Sequence, residues 1–333
     1  MAGRFNTDKL EQQLFANHSS ERFNALTLEI FRFQAANNPI YGEFLEALKV
    51  QPELVQAVED IPFLPVTLFK HHQVVSTTAN AEQVFTSSGT TGSVTSSHHV
   101  ASLEVYERSF MQGFERVYGP ISEYCVLALL PAYLERSGSS LVYMANSLIE
   151  RSMHPQSGFY LDDLDVLAAE LRSLDAAGQK VLLLGVTFAL LDLAEQHPMQ
   201  LKHAIVMETG GMKGRRKELI RTDLHQQLIE AFGVNSIHSE YGMTELLSQA
   251  YSTGHGIYRC PPWMKVWVRD ANDPMRLLEP GRTGGLNIID LANLWSCSFL
   301  STQDLGRHHA DGSFEVLGRF DYSDLRGCSL LTA

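Results

Sequence analysis

Apolar residues recur at helical spacing through the first fifty positions, as in Leu10 and Leu14 and then Phe23, Leu26, Ile30 and Phe33, which predicts two or three amphipathic helices. Asn37-Asn38-Pro39 interrupts them, because proline lacks a backbone donor and restrains the residue before it. Ile61-Pro62-Phe63-Leu64-Pro65-Val66-Thr67-Leu68-Phe69 sets two prolines among apolar residues and predicts an extended crossing segment rather than a helix. From Val84 onward the period changes repeatedly. Val84-Phe85-Thr86 reads as a strand, and Leu103, Tyr106, Phe110, Phe114 and Val117 mark one face of a long helix. Tyr124 to Leu130, Val181 to Leu184, Ala204 to Met207 and Val234 to His238 read as further strands, each next to a helical stretch such as Asp162 to Ala177. That alternation predicts an α/β fold with a largely parallel sheet. After Cys260-Pro261-Pro262 the helical period stops. Met264 to Val268, Gly285 to Ile289, Trp295 to Leu300 and Ser313 to Leu317 read as strands divided by Gly and Asp turns. The expected organisation is a helical segment at 1–80 packing on an α/β core at 81–260, a small β-rich lobe at 261–317 and a tail at 318–333.

Composition narrows the function. The chain has 333 residues, 44% of them hydrophobic and 19% charged, which provides for a buried core and sets intrinsic disorder aside. A net charge of −12 argues against a nucleic-acid partner. The opening MAGRFNTDKLEQQLF lacks the apolar centre of a secretion signal and the Arg/Ser bias of a transit peptide, so export is not expected. The most apolar run, Val181 to Leu191, falls far short of the roughly 20 residues of a membrane span. Cys125, Cys260, Cys297 and Cys328 match neither a metal knuckle nor a disulfide framework, which fits a reducing cytoplasm. The adjacent pairs His71-His72, His98-His99 and His308-His309 diverge on either kind of element, so surface or loop positions are expected for them.

Thr86-Ser87-Ser88-Gly89-Thr90-Thr91-Gly92-Ser93 follows a predicted strand directly. Its glycines let backbone N–H groups turn toward one point, and its hydroxyls add donors without bulk, which suits a polyphosphate arriving with its own magnesium; the plainer reading is a flexible Ser/Thr loop. No lysine lies between Gly89 and Val100, which excludes a Walker P-loop. The order of residues resembles the phosphate loop of the adenylate-forming superfamily, which includes acyl-CoA synthetases, luciferase and nonribosomal peptide adenylation domains. Thr95 stands where many members carry a lysine.

Further segments resemble the superfamily in its chain order. Glu208-Thr209-Gly210-Gly211-Met212 is similar to the glycine pair on which adenine lies. His238-Ser239-Glu240-Tyr241-Gly242-Met243-Thr244-Glu245 resembles the aromatic-Gly-x-Thr-Glu signature; the resemblance implies that Tyr241 stacks on adenine, Thr244 meets the α-phosphate and Glu245 holds magnesium. Without it, Thr244 and Glu245 read as the cap and first turn of a helix. Ser301-Thr302-Gln303-Asp304 is similar to a Thr-Gly-Asp segment with Gln303 in place of glycine, implying Asp304 as the ribose ligand, against an Asx turn before Gly306. Leu317-Gly318-Arg319-Phe320-Asp321-Tyr322-Ser323-Asp324-Leu325-Arg326-Gly327 looks like the hinge segment, which adds Arg319 to the nucleotide contacts.

In typical acyl-CoA synthetases a lid domain follows that hinge and delivers a catalytic lysine. This sequence stops at Ala333, so the resemblance leads to the expectation of no lid. Met-Thr-Glu in the second signature and Arg-Gly-Cys near the end resemble the LuxE-like acyl-protein synthetases, which pass the acyl group of an acyl-adenylate to a cysteine near their own C-terminus. Cys328 is the matching position, with Arg326 beside it to favour the thiolate; the alternative is an inert terminal cysteine. Leu130 to Ser140 reads either as acyl-pocket lining or as a strand-to-helix loop, and Lys213, Arg215, Arg216 and Lys217 either as a solvated basic helix face or, for Lys213 next to Gly211, as a phosphate contact. The expected activity is ATP-dependent activation of a carboxylic acid, with acyl transfer to Cys328 or another protein thiol. An acyl-CoA ligase using coenzyme A and a non-catalytic scaffold subunit are the alternatives, and homo-oligomerisation stays open.

Overall fold

The computed structural model describes residues 5–16, 19–87, 94–130, 138–161, 163–210 and 220–320. Three helices open the chain: α1 (Thr7–Gln13), α2 (Ser20–Asn37) and α3 (Pro39–Ala47). Ser19 caps α2 by accepting from the Arg22 amide, while Asn38 accepts from the Tyr41 amide and Pro39 occupies the first turn of α3, where its missing donor costs nothing. Helix α2 buries Phe23, Leu26, Ile30, Phe31 and Phe33, and also the amide of Gln34.

The Ile61 to Phe69 segment departs from the expected extended chain. Only β1 (Leu64–Pro65) is extended, and Val66–Lys70 winds into a 3-10 helix. Three residues per turn bring Val66 and Phe69 onto one side, and both are buried; a single 3-10 turn satisfies that spacing where alternation would separate them. Strands β2 (Gln83–Thr86) and β3 (Ser97–Val100) then form an antiparallel hairpin with Phe85 opposite His98 and Thr86 opposite Ser97.

The central part alternates as its pattern predicts. Helix α4 (Leu103–Tyr118) is followed by β4 (Cys125–Leu129), α5 (Ser140–Ser152), β5 (Gly158–Phe159), α6 (Leu164–Ala176), β6 (Val181–Val186), α7 (Thr187–Gln196), β7 (Ala204–Thr209), α8 (Arg221–Phe232) and β8 (His238–Tyr241). The strands β5-β4-β6-β7-β8 pair in parallel, and every residue of β4 and β6 is buried, as in a sheet covered on both faces. Strand β8 starts at His238 rather than Val234. Helix α8 runs to Phe232 and ends on Gly233 at φ 63°, so the residues after it are spent on the return connection.

The remaining strands are β9 (Ala250–Ser252), β10 (Ile257–Arg259), β11 (Met264–Arg269), β12 (Thr283–Asp290), β13 (Phe299–His308) and β14 (Phe314–Arg319). They continue the same hydrogen-bonded path antiparallel from β8, in the order β8-β9-β10-β14-β13-β12-β11, with β1 beside the first residues of β13. Trp295 lies ahead of β13, not in it. Among the described residues no helix is long and apolar enough to cross a membrane.

The histidine pairs divide. His71 and His72 are exposed, but His98 is fully buried and His308 is 8% exposed, contrary to the surface positions expected. Alternation along β3 and β13 sends one member of each pair inward.

Candidate active site

The described parts of the segments singled out in the sequence converge near the C-terminal ends of β7 and β8, where the parallel strands give way to antiparallel ones. The stem of the hydroxyl-rich loop is closed by the β2–β3 hairpin. The Ser87 amide donates to the Ser96 carbonyl at 3.0 Å, and Ser87 Oγ accepts from the Ser96 amide at 2.9 Å. Ser88, Gly89, Thr90, Thr91 and Gly92 themselves lie outside the described residues.

Thr244 and Glu245 do not start a helix. They form a turn between β8 and β9, and side chains from distant parts of the chain satisfy its backbone. His98 Nδ1 lies 2.8 Å from the Thr244 carbonyl, so that nitrogen carries the proton and donates. Asn293 Nδ2 donates to the Glu245 carbonyl at 2.8 Å. Asp290, also fully buried, accepts from the amides of Leu247 at 2.9 Å and Ser248 at 3.0 Å. Burial pulls the His98 imidazole down to about 4, against an upward pull from its Thr244 bond, so the ring is neutral at physiological pH.

The Glu245 side chain is only 5% exposed. Burial raises its carboxyl above the usual range; the Ser96 hydroxyl and the Arg319 guanidinium act in the opposite direction, and Asp304 adds to the rise. Asp304 sits opposite Arg319 in the β13–β14 register, with Arg319 Nε 3.3 Å from its Oδ1. Tyr241 donates its hydroxyl to Asp304 Oδ2 at 2.7 Å, and its buried ring packs edge-on against Tyr258 and Phe314. Tyr241, Glu245, Asp304 and Arg319 therefore share one electrostatic neighbourhood.

The two glycine segments meet beside it. Gly210 and Gly242 are exposed at the ends of β7 and β8, and Gly210 has a φ of 72° that a side chain would disfavour. Thr209 Oγ1 donates to Glu240 Oε2 at 2.5 Å, which ties these two strand ends together. A Cβ at Gly242 would come within 2.5 Å of Glu240 Oε1. Thr187 Oγ1 donates to the Gly210 carbonyl at 2.6 Å. Burial pushes the Glu208 carboxyl up, but His225, with Nε2 3.6 Å from Oε1, Arg221 and Ser239 together outweigh it and leave the group below its usual range.

Gly211, the basic cluster at 213–217, Tyr133 with the rest of 131–137, and Cys328 lie outside the described residues. Sequence reasoning missed Ser96, Glu240, Asp290 and Asn293 and assigned His98 to the surface. The signal for Ser96 and His98 was the two-residue alternation after the loop; the other three carried no local signal, since their partners are remote in sequence.

No group of three or more His, Cys, Asp or Glu able to hold a metal occurs among the described residues. Magnesium at phosphate sites takes one or two carboxylates and fills its remaining positions with phosphate and water, so Glu245 fits a cation that arrives with a nucleotide and not a resident all-protein site.

A model of the acyl-protein synthetase family LuxE matches residues 5–333. The long-chain-fatty-acid–luciferin-component ligase of Aliivibrio fischeri is 23% identical over 337 residues, covering 92% of this chain and 87% of that protein. An open conformation of 2-hydroxyisobutyryl-CoA ligase, solved with 2-HIB-AMP and CoA, superposes at a TM-score of 0.66 and 14% identity over 93% of this chain and 78% of its own. ATP-bound MatB from Rhodopseudomonas palustris superposes at 0.53 and 18% identity over 74% of this chain; the match spans about half of MatB, 49% of its length. At such identities the structures establish the α/β fold of the adenylate-forming enzymes' N-terminal domain, and the family match goes further: this chain belongs to the LuxE family of acyl-protein synthetases and is an AMP-forming ligase.

Proposed function

We propose that the protein joins a fatty or other acyl acid to ATP and then hands the acyl group to a protein thiol. A carboxylate oxygen of the acid attacks the α-phosphorus, the bond from that phosphorus to the β-phosphate oxygen breaks, and pyrophosphate leaves, giving an acyl-adenylate. The acid is already an anion at neutral pH, so no side chain has to remove a proton first. Positioning and charge neutralisation carry the step.

In this reading the core at 81–260 supplies Ser87, Ser88, Gly89, Thr90, Thr91 and Gly92 for the outer phosphates. It also supplies Gly210, Gly211, Tyr241 and Gly242 for adenine and Thr244 for the α-phosphate. The strands at 261–317 supply Asp304 for the ribose, and Arg319 adds a second contact from the tail. Glu245 would hold magnesium, which supplies charge neutralisation at the phosphate oxygens when bound. In the second step the Cys328 thiolate attacks the acyl carbonyl, the bond to the phosphate oxygen breaks, AMP leaves and a thioester forms. Arg319 and Cys328 are separated by a short stretch of chain, and at about 3.4 Å per residue that stretch keeps the thiol within reach of the adenylate.

The observation that carries this reading is the convergence of the Ser87–Ser96 stem, the Thr244-Glu245 turn and the Asp304–Arg319 pair. Its test is exchange of labelled pyrophosphate into ATP across a panel of free acids. Exchange is expected only when a suitable acid is present, and Glu245→Ala is expected to lose it by about a hundredfold or more. Equal rates for the variant and the parent at limiting magnesium would remove Glu245 from the site.

A further inference from the structure

Strand β3 and the residue leading into it present two side chains to the Thr244-Glu245 turn. Ser96 extends the hairpin ladder one residue ahead of β3 through its bonds with Ser87, and Ser96 and His98, two residues apart, are both buried. The Ser96 hydroxyl acts on the Glu245 carboxyl, and His98 donates to the Thr244 carbonyl. Ser96 also closes the loop stem through its two bonds with Ser87. The strand that ends the phosphate loop is thus the strand that grips the turn. The remaining ring nitrogen of His98, Nε2, is buried and has no hydrogen-bond partner among the described residues, so the Thr244 carbonyl is the one hydrogen-bonded contact of this imidazole there.

We propose that His98 is a positioning residue: it locks the Thr244-Glu245 turn to the β2–β3 hairpin, so that the Ser87–Ser96 stem and the carboxylate assigned to magnesium are held in fixed register. This rests on the acid-activation reading of the site. A slip of one residue in the β2–β3 pairing would turn His98 away and carry Ser96 with it, and the Thr244 carbonyl would lose its donor. The pairing of the hairpin residues on either side, Phe85 with His98 and Thr86 with Ser97, holds that register.

The experiment compares His98→Leu, His98→Gln and His98→Asn with the parent. The Asn amide nitrogen sits where Nδ1 sits and keeps the donor, whereas the Gln amide reaches the Nε2 position instead. In acid-dependent pyrophosphate exchange, Leu and Gln are expected to lower the rate about tenfold to a hundredfold and to raise the magnesium concentration for half-maximal rate about tenfold, with Asn within about threefold of the parent on both. A simple loss of folded protein would lower the rate without moving the magnesium midpoint. The same midpoint in all four proteins, or Asn shifted as far as Gln, would overturn the assignment; if Leu fails to fold, the Asn and Gln pair decides. Amide hydrogen exchange over residues 244–248 reads the lock without activity, with faster exchange expected in Leu and Gln than in the parent and Asn. If the parent exchanges pyrophosphate with no acid, the proposed function falls, and equal protection of those amides in every variant would separately overturn the lock.

Discussion

Glu240 precedes Tyr241 in β8, and strand alternation therefore turns it away from Asp304, where Tyr241 points. It is a carboxyl confined between Thr209 and the Gly242 backbone. Burial, aided by the neighbouring Glu208 carboxylate and opposed by the Thr209 hydroxyl, pushes it up to about 7. Between its ordinary value of 4.5 and about 7, the folded protein holds a proton that the unfolded chain has released, so this group lowers stability as pH rises through that window. Glu240→Gln removes the titration and keeps an acceptor for Thr209. Denaturant unfolding at pH 5 and pH 8 is expected to show the parent losing on the order of 2 kcal/mol relative to the variant across that interval. Parallel pH profiles would show that Glu240 ionises as freely in the fold as outside it.

At the scale of elements, α2 reaches the site indirectly. Gln34 donates through Nε2 to the carbonyls of Asn293 and Leu294, both at 2.9 Å, and accepts from the Ser298 amide at 2.9 Å. Asn38 donates to the Ser296 carbonyl at 3.0 Å. These bonds fix the turn that carries Asn293, and Asn293 in turn holds the Glu245 carbonyl. Gln34→Leu leaves the Leu294 carbonyl and the Ser298 amide buried without partners, while the Asn293 carbonyl keeps the Ser296 amide; it is expected to cost about 2–4 kcal/mol in denaturant unfolding, whereas a polar surface substitution on the same helix is expected to cost under about 0.5 kcal/mol. The helices and strands themselves were legible in the chain, because each is set by a local period: α2, α4, β4, β6 and β7 fall where their apolar residues repeat. What was not legible depends on remote partners. The non-helical Thr244-Glu245 turn is decided by what His98, Asn293 and Asp290 reach in space, and none of these lies near the turn in sequence; the 3-10 turn after Pro65 and the late start of β8 follow from how Val66, Phe69 and the end of α8 pack. The site segments were visible as motifs, while the buried side chains that hold them were not.

Across the whole molecule, the adenylate-forming fold brings chemistry from distant parts of the chain to one end of the sheet, and the acyl acceptor is the part of the proposed reaction that depends on overall connectivity. Cys328 follows β14, whose last residue Arg319 sits against Asp304. Intact-mass measurement after incubation with ATP and an acid that supports exchange is expected to find one acyl adduct, cleaved by hydroxylamine and missing from Cys328→Ser. An unmodified parent that makes acyl-coenzyme A instead would move the acceptor role from the protein to the soluble thiol. The pairing of β14 with β10 has a wider consequence. The first and last thirds of the chain are joined by β1 paired to β13, and within the last third β14 returns to pair with β10. A gene fragment ending after β10 would leave β1 and β10 with open rows of amides and carbonyls, an invitation to edge-to-edge aggregation. The protein is consequently expected to tolerate division poorly.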